Sequence, residues 1–318
     1  MRKSVLKVIT GCALILGACS DDDVLKMRES ETAKAEELAA KNSTEPTYTT
    51  SQLKSSLNVP YSVRPNYNKI QYTAENRKHI DVGSQNLTIH LDIAVPPNAS
   101  SSSRRPLIIY IHGGGYYKQE KERFRDEAFT YAQAGYIAAT INYRLTPDNK
   151  KSKALRTMAI RHALEDVGNA VRFLKSKTSQ YHIDVSRIVL IGNSDGGSLA
   201  LMNAIGADEL GLKSYFPSQT TKTRAAISTG GTLTKEPDQP VLTYNATDAP
   251  ALLLHNSKSD PITGAKWQDA VNTQTKIKNS GNTCALVKQP TNTHTVNLSA
   301  GGEYWDEVLP FLQEKLDM

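Results

Sequence analysis

Hydrophobic and polar positions divide the chain into three regimes. Met1 to Lys7 is short and basic, and Val8 to Leu16 is mostly apolar. A run of about ten apolar residues is half of the roughly twenty a membrane-spanning helix needs, so it reads as an export signal and not as an anchor. From Ser20 to about Ser56 the chain is rich in Glu, Lys, Ser and Thr, the composition of a tether, with a short Ala- and Glu-rich helix expected over Met27 to Lys41. Beyond it, Leu87, Ile89, Leu91, Ile93 and Val95 alternate with polar or small residues, which predicts a strand with one buried face. The segments Leu107 to Ile111, Tyr136 to Ile141, Arg187 to Ile191, Ala225 to Ser228 and Ala251 to Leu254 are near-continuous apolar runs, as in parallel strands covered on both faces.

Helical spacing separates these runs. Met158, Ala159, His162, Ala163, Val167, Ala170, Val171 and Leu174 fall at three- and four-residue steps, the stripe of one long amphipathic helix. Further helices are expected over Phe124 to Ala134, Asp195 to Ile205, Gly264 to Lys278 and Glu303 to Leu316. Repeated strand, helix, strand order predicts an α/β fold with a mostly parallel, doubly wound sheet and helices on both faces. The organisation expected is a signal peptide over 1–18, a tether over 19–56 that starts at Cys19, and one folded domain over 57–318.

Composition changes this picture little. The chain has 318 residues, 39% hydrophobic and 22% charged, with unremarkable Gly and Pro, so it can bury a core and is not a low-complexity protein. Its net charge of +6 includes Arg2, Lys3 and Lys7 of the expected signal. Without those three the excess of base over acid is +3 and no basic run remains, which speaks against a nucleic-acid partner. Of three cysteines, Cys12 leaves with the signal and Cys19 stands at its end, so Cys284 remains alone and no disulfide within the mature chain is expected. Cys284 lies in an apolar strand, where a buried, inert thiol is the expectation.

The candidate chemistry gathers around Gly192-Asn193-Ser194-Asp195-Gly196, which directly follows the apolar run ending at Ile191 and opens a helical segment. A serine in a tight strand-to-helix turn needs glycines on either side, because side chains there would clash. Such a serine needs a base and an acid, and the chain order serine, acid, histidine leaves two histidines, His255 and His294. His255 precedes every plausible acid loop, so His294 is the candidate. Asp260 lies a few residues beyond the run ending at Leu254, where ligands of open α/β sheets gather; its competitor Asp248 precedes the same run and belongs at the opposite sheet edge. His112-Gly113-Gly114-Gly115-Tyr116 supplies backbone N–H groups free of side chains, suited to a developing oxyanion. The donors assigned are the N–H groups of Gly114, Gly115 and Asp195. Neither GxGxxG nor a terminal Gly-Lys-Ser/Thr is present, so no phosphate loop is expected.

Two resemblances follow from these residues. Leu16-Gly17-Ala18-Cys19 resembles the bacterial lipobox, and Ser20-Asp21-Asp22-Asp23 is similar to acidic tags of surface lipoproteins. They imply lipidation at Cys19 and attachment to the bacterial outer membrane, with its inner and its cell-surface face both left open. Residues 65 to 318, through His-Gly-Gly-Gly-Tyr, Tyr143-Arg144-Leu145-Thr146-Pro147, Asp184-Val185-Ser186-Arg187-Ile188, Gly-Asn-Ser-Asp-Gly-Gly and the Ser257 to Pro261 loop, resemble α/β-hydrolase carboxylesterases of the hormone-sensitive lipase and feruloyl esterase-like group. The resemblance implies hydrolysis of small acyl esters, free or on glycans, by Ser194, His294 and Asp260, with no metal and no cofactor. A peptidase or amidase of the same fold and a non-catalytic glycan-binding lipoprotein are the alternatives. Two departures from the group stand out: Asp195 where a small residue is usual, and Thr295 where glycine is common. An ionised Asp195 beside the oxyanion donors is expected to turn aside and pair with a neighbouring donor or with substrate, the alternative being a plain helix N-terminal carboxylate stabilised by the dipole.

Overall fold

The computed structural model describes residues 46–318 apart from positions 68, 74, 76, 234–238, 257 and 291. The expected signal, Cys19 and the helix over 27–41 lie outside the described residues. Eight strands form one sheet: β1 (Lys54–Pro65), β4 (Asn86–Val95), β5 (Arg105–Ile111), β6 (Ile137–Ile141), β7 (Ile183–Asn193), β8 (Ala225–Thr229), β9 (Ala251–Asn256) and β10 (Cys284–Gln289). Their order is β1-β4-β6-β5-β7-β8-β9-β10, and β2 (Ile70–Thr73) with β3 (Lys78–Asp81) makes a separate hairpin. Pairing is antiparallel for β1 with β4 and for β4 with β6, and parallel from β6 to β10. Five longer helices connect them: α1 (Arg125–Gln133), α2 (Lys153–Ser176), α3 (Asp195–Gly206), α4 (Trp267–Asn279) and α5 (Trp305–Leu316).

The apolar runs behave as their composition dictates. Every residue of β5, β6, β8 and β9 is buried, because helices cover both sheet faces. Leu107, Ile109 and Leu190 join α2 and α3 in one core; Ile108, Tyr110 and Val189 join α1 and α5 in the other. Each fully buried aliphatic side chain of this kind contributes about 1.5–3 kcal/mol, so alternate residues of one strand stabilise two layers at once.

Two expectations need correction. The strand β4 is not half-exposed: from Leu91 to Val95 both faces are buried. Its polar position Asp92 is fully buried and takes ion pairs from Lys121 at 3.2 Å and Arg125 at 2.7 Å, which satisfy the carboxylate that the alternation assigned to solvent. The folded domain also begins before residue 57. The N–H groups of Thr47 and Tyr48 donate to Gln133 O, Leu53 is buried, and β1 starts at Lys54. As the sheet's edge strand β1 is largely exposed and carries irregularities at Ser56/Val59 and Pro60/Ser62, so its residues show no period.

The Tyr143-Arg144 segment after β6 is held by a buried ionic cluster. Asp166 of α2 accepts from Arg64 Nε at 2.9 Å and from Arg144 Nε at 2.8 Å, and Glu165 pairs with both arginines. Arg64 and Asp166 are nearly inaccessible, so removing the shared carboxylate leaves two buried guanidiniums to Glu165 alone. Asp166→Ala is expected to lose about 3–5 kcal/mol of stability in denaturant titration, whereas Asp148→Asn, which breaks an exposed pair with Lys151 and keeps a residue suited to the left-handed backbone there, should change it by no more than about 0.5 kcal/mol.

Candidate active site

The apolar residues of β7 deliver Ser194 to the carboxyl end of the sheet, and α3 starts at the next residue. Ser194 has a φ of 59°, a left-handed conformation that costs a non-glycine residue roughly 1–3 kcal/mol. The elbow survives because its surroundings hold it: Ser194 N–H donates to Thr229 O of β8 at 2.8 Å. A Cβ at Gly192 would lie 2.1 Å from Gly196 O, and one at Gly196 would lie 2.2 Å from Ile111 O. Both glycines are therefore required by close backbone approach, as their place in the sequence implies.

His294 and Asp260 come to this serine from loops beyond β10 and β9. His294 Nε2 is 2.7 Å from Ser194 Oγ, and its Nδ1 is 2.5 Å from Asp260 Oδ2. The Asp260 side chain is buried, and its Oδ1 accepts from the N–H groups of Ile262 at 2.9 Å and Thr263 at 2.7 Å. Burial pushes this carboxyl up, but the His294 bond and the two backbone donors outweigh it and hold the group below the usual carboxylate range. His255 is buried in β9 with Nδ1 at 3.0 Å from Asn256 O, and Asp248 accepts from Asn245 N–H ahead of β9. Neither is hydrogen-bonded to Ser194 or His294. Cys284 is buried, and burial pushes its thiol up to about 12.

The glycine loop lies against the elbow. A Cβ at Gly113 would be 2.8 Å from Ser194 Cβ, and Gly114 has a φ of 104° with its Cβ position 2.1 Å from Lys118 O. His112 braces the loop from below: its ring stacks on Tyr143 at 4.2 Å, its Nδ1 lies 2.8 Å from Gly113 O, and Tyr143 OH donates to His112 O and Gly113 O at 2.9 Å each. Burial lowers the His112 pKa to about 4, so the ring is neutral and Nδ1–H is the donor. A histidine that is neutral in the fold but protonates near 6.5 when unfolded favours the fold fully above pH 6.5 and progressively less down to pH 4. Wild type should therefore lose up to about 3 kcal/mol of stability across that window from this group, and His112→Asn should flatten the slope of Tm against pH there.

One assigned oxyanion donor is occupied. Gly115 N–H does not stand free beside the serine but donates to Asp195 Oδ2 at 2.6 Å. The expectation that the Asp195 carboxylate turns to a neighbouring donor holds, and the donor it takes is that glycine. Its other oxygen pairs with Arg156 Nη2 at 3.3 Å, while Arg156 Nη1 donates to Gly115 O at 2.9 Å and Asn149 Nδ2 donates to the same oxygen at 2.7 Å. Of the three donors assigned, Gly114 N–H has no acceptor among the described residues, and Asp195 N–H is the first of a helix, where no intrahelical acceptor exists. Arg156 was missed at the sequence level. Its signal was there: it falls on the buried stripe of α2 with Ile160 and Ala163, where a charge must have a partner. Among the described residues no cluster of three or more His, Cys, Asp or Glu side chains is placed to hold a metal ion, and no helix is long and apolar enough to cross a membrane.

Known structures superpose on this arrangement. An esterase of Thermogutta terrifontis with bound butyrate matches at TM-score 0.60 and 19% identity, over 79% of this chain and 95% of that one. A truncated carbohydrate esterase from gut microbiota matches at TM-score 0.59 and 18% identity, over 86% and 99%. The fold is the α/β-hydrolase fold. Within this hydrolase fold, residues 91–233 match the family model BD-FAE, a segment that runs from β4 through the glycine loop and elbow to just past β8. Esterase LipI of Mycobacterium tuberculosis is 27% identical over 117 residues, 36% of this chain and 34% of its own length. The probable carboxylic ester hydrolase LipM of the same organism is 27% identical over 149 residues, 46% and 32%. A non-reducing polyketide synthase of Emericella nidulans is 23% identical over 210 residues, 57% of this chain and 8% of its own. The chain thus spans about a third or less of the length of these three curated relatives.

Proposed function

We propose that the protein is a serine carboxylesterase that cleaves small acyl esters, acetyl or feruloyl groups on glycans, from the outer membrane to which a lipidated Cys19 attaches it. The observation that carries this reading is the unbroken line from Asp260 through His294 to Ser194, at 2.5 and 2.7 Å, on a strained elbow. His294 Nε2 removes the Ser194 proton as Oγ attacks the ester carbonyl, the tetrahedral intermediate expels the alcohol as His294 returns the proton, and water releases the acid by the same route. Asp260, kept ionised by its donors, orients the imidazole and stabilises its charged form. The N–H groups of Gly114 and Asp195 take the developing oxyanion. The names of the mycobacterial esterases and of the gut carbohydrate esterase support ester and glycan chemistry.

Turnover by the full-length protein of acetyl, butyryl, octanoyl and feruloyl esters tests the activity; hydrolysis of none of them overturns it. Fatty-acid labelling that is lost in Cys19→Ser tests the anchor, and an unlabelled wild type overturns that part alone.

Arg156 makes a charge prediction. An unscreened carboxylate some 6 Å from an oxyanion would raise the barrier by roughly 2–3 kcal/mol at an effective dielectric near 20, so the Arg156 guanidinium is the natural compensation. Arg156→Ala should lower kcat about ten- to a hundredfold on every ester alike, and adding Asp195→Ala should recover much of it. If the single variant turns over as wild type does, Asp195 needs no counter-charge.

A further inference from the structure

The hairpin of β2 and β3 lies against the loop that follows the three glycines. His79 of β3 faces Tyr72 of β2 across the hairpin, and their rings meet edge-on at 5.6 Å. His79 Nε2 hydrogen-bonds to the Tyr117 carbonyl, and its ring tilts onto the Tyr117 ring at 6.4 Å. Tyr117 in turn covers Gly115: a Cβ at that glycine would lie 2.5 Å from Tyr117 Cε1. Gly115 N–H holds the Asp195 carboxylate, which is 3.4 Å from Ser194 Oγ. Half-buried Tyr117 therefore packs on the glycine loop that holds Asp195, and exposed His79 and half-buried Tyr72 continue the aromatic row from it onto the hairpin.

Two ammonium groups complete this surface. Lys118 Nζ lies 5.3 Å and Lys150 Nζ 5.9 Å from the Tyr117 ring centre. Both lysines are exposed and neither has a carboxylate partner among the described residues; Asp148, two residues from Lys150, is paired with Lys151 instead. The His79 ring is exposed and both tyrosine rings keep part of their surface in solvent, and over one of them lie two ammonium groups with no carboxylate partner among the described residues. Aromatic faces are apolar and weakly negative, which suits the C–H face of a sugar ring. Exposed cation–π contacts are weak and lysine stems are flexible, so the ammonium groups can leave the ring to meet an anion.

We propose that Tyr72, His79, Tyr117, Lys118 and Lys150 form a glycan subsite selective for acidic sugars, in which a ring stacks on the aromatic face and a uronate carboxylate sits between the two ammonium groups. The subsite selects substrate for the ester hydrolysis assigned to Ser194 and rests on that reading; it makes esterified, uronate-containing polysaccharide the preferred substrate class.

The test compares oligogalacturonate with a neutral xylo-oligosaccharide of equal length. Calorimetric titration of the full-length protein with the unesterified oligomers needs no turnover, so it reads the subsite even if no ester is cleaved. Wild type should bind the acidic oligomer about fivefold to tenfold more tightly at low salt, with the preference fading as salt screens exposed charges. In Lys118→Gln/Lys150→Gln the preference should vanish, and the same ratio should disappear from kcat/KM on the acetylated oligomers through KM. Equal binding of both oligomers by wild type, or a preference that survives in the double variant or at high salt, overturns the proposal. Failure of wild type to cleave any of the acetyl, butyryl, octanoyl and feruloyl esters overturns the hydrolase reading instead.

Discussion

Ser194→Ala is expected to lose at least about three orders of magnitude in kcat on an acetyl ester, since deleting the nucleophile of related triads costs that much or more. At roughly 1.4 kcal/mol per factor of ten, the loss exceeds 4 kcal/mol of barrier, beyond the reach of a repacking effect at so small a side chain. The fold should survive. The elbow is held by backbone, through Ser194 N–H on Thr229 O and the close approaches around Gly192 and Gly196, and alanine keeps all of these. Tm should therefore stay within a few degrees of wild type while turnover vanishes. A variant with ordinary turnover removes Ser194 from the chemistry whatever its geometry.

Asp260→Asn should be nearly as severe, with about a 10³- to 10⁴-fold fall in kcat. The Ile262 and Thr263 N–H groups donate to Oδ1, which asparagine retains as an amide oxygen, so the loop should keep its shape. The amide nitrogen would then face His294 Nδ1 where Oδ2 now accepts at 2.5 Å. A donor in that place forces the proton onto Nε2, and an imidazole with a proton on Nε2 cannot take one from Ser194. The defect is one of tautomer, which raising the pH does not repair. Near-normal activity across pH 6 to 9 would show that His294 works without a buried carboxylate behind it.

The fold class and the serine elbow were legible in the chain because each rests on local pattern. Continuous apolar runs mark strands that helices cover on both faces, and the glycines around Ser194 mark a turn in which backbone touches backbone. The order serine, acid, histidine then separated His294 from His255, and Asp260 was separated from Asp248 because residues before a parallel strand and residues after it emerge at opposite sheet edges. The same logic made Cys284 a core thiol.

Contacts between residues remote in sequence were decided only by the tertiary structure. The Asp195 carboxylate meets Gly115 N–H across 80 positions and Arg156 across 39, and no periodicity encodes such meetings. Reading Gly115 as an open donor followed from its freedom from side chains, a local property; its occupation follows from the neighbour that packing brings. Asp92 broke the alternation of β4 for the same reason, its cations arriving from another segment. Strand β1 and the β2–β3 hairpin escaped notice because edge strands and surface hairpins bury too little to impose a period on their residues. The sequence by itself determined the fold class, through patterns that neighbouring residues enforce on one another, and nominated Ser194, Asp260 and His294, which the structure brings into one hydrogen-bonded line across 100 and 34 positions. Which donors around the serine stand open, and which aromatic and basic side chains stand at its rim, was left to the packing of distant segments, where charge and shape meet only after the chain has folded.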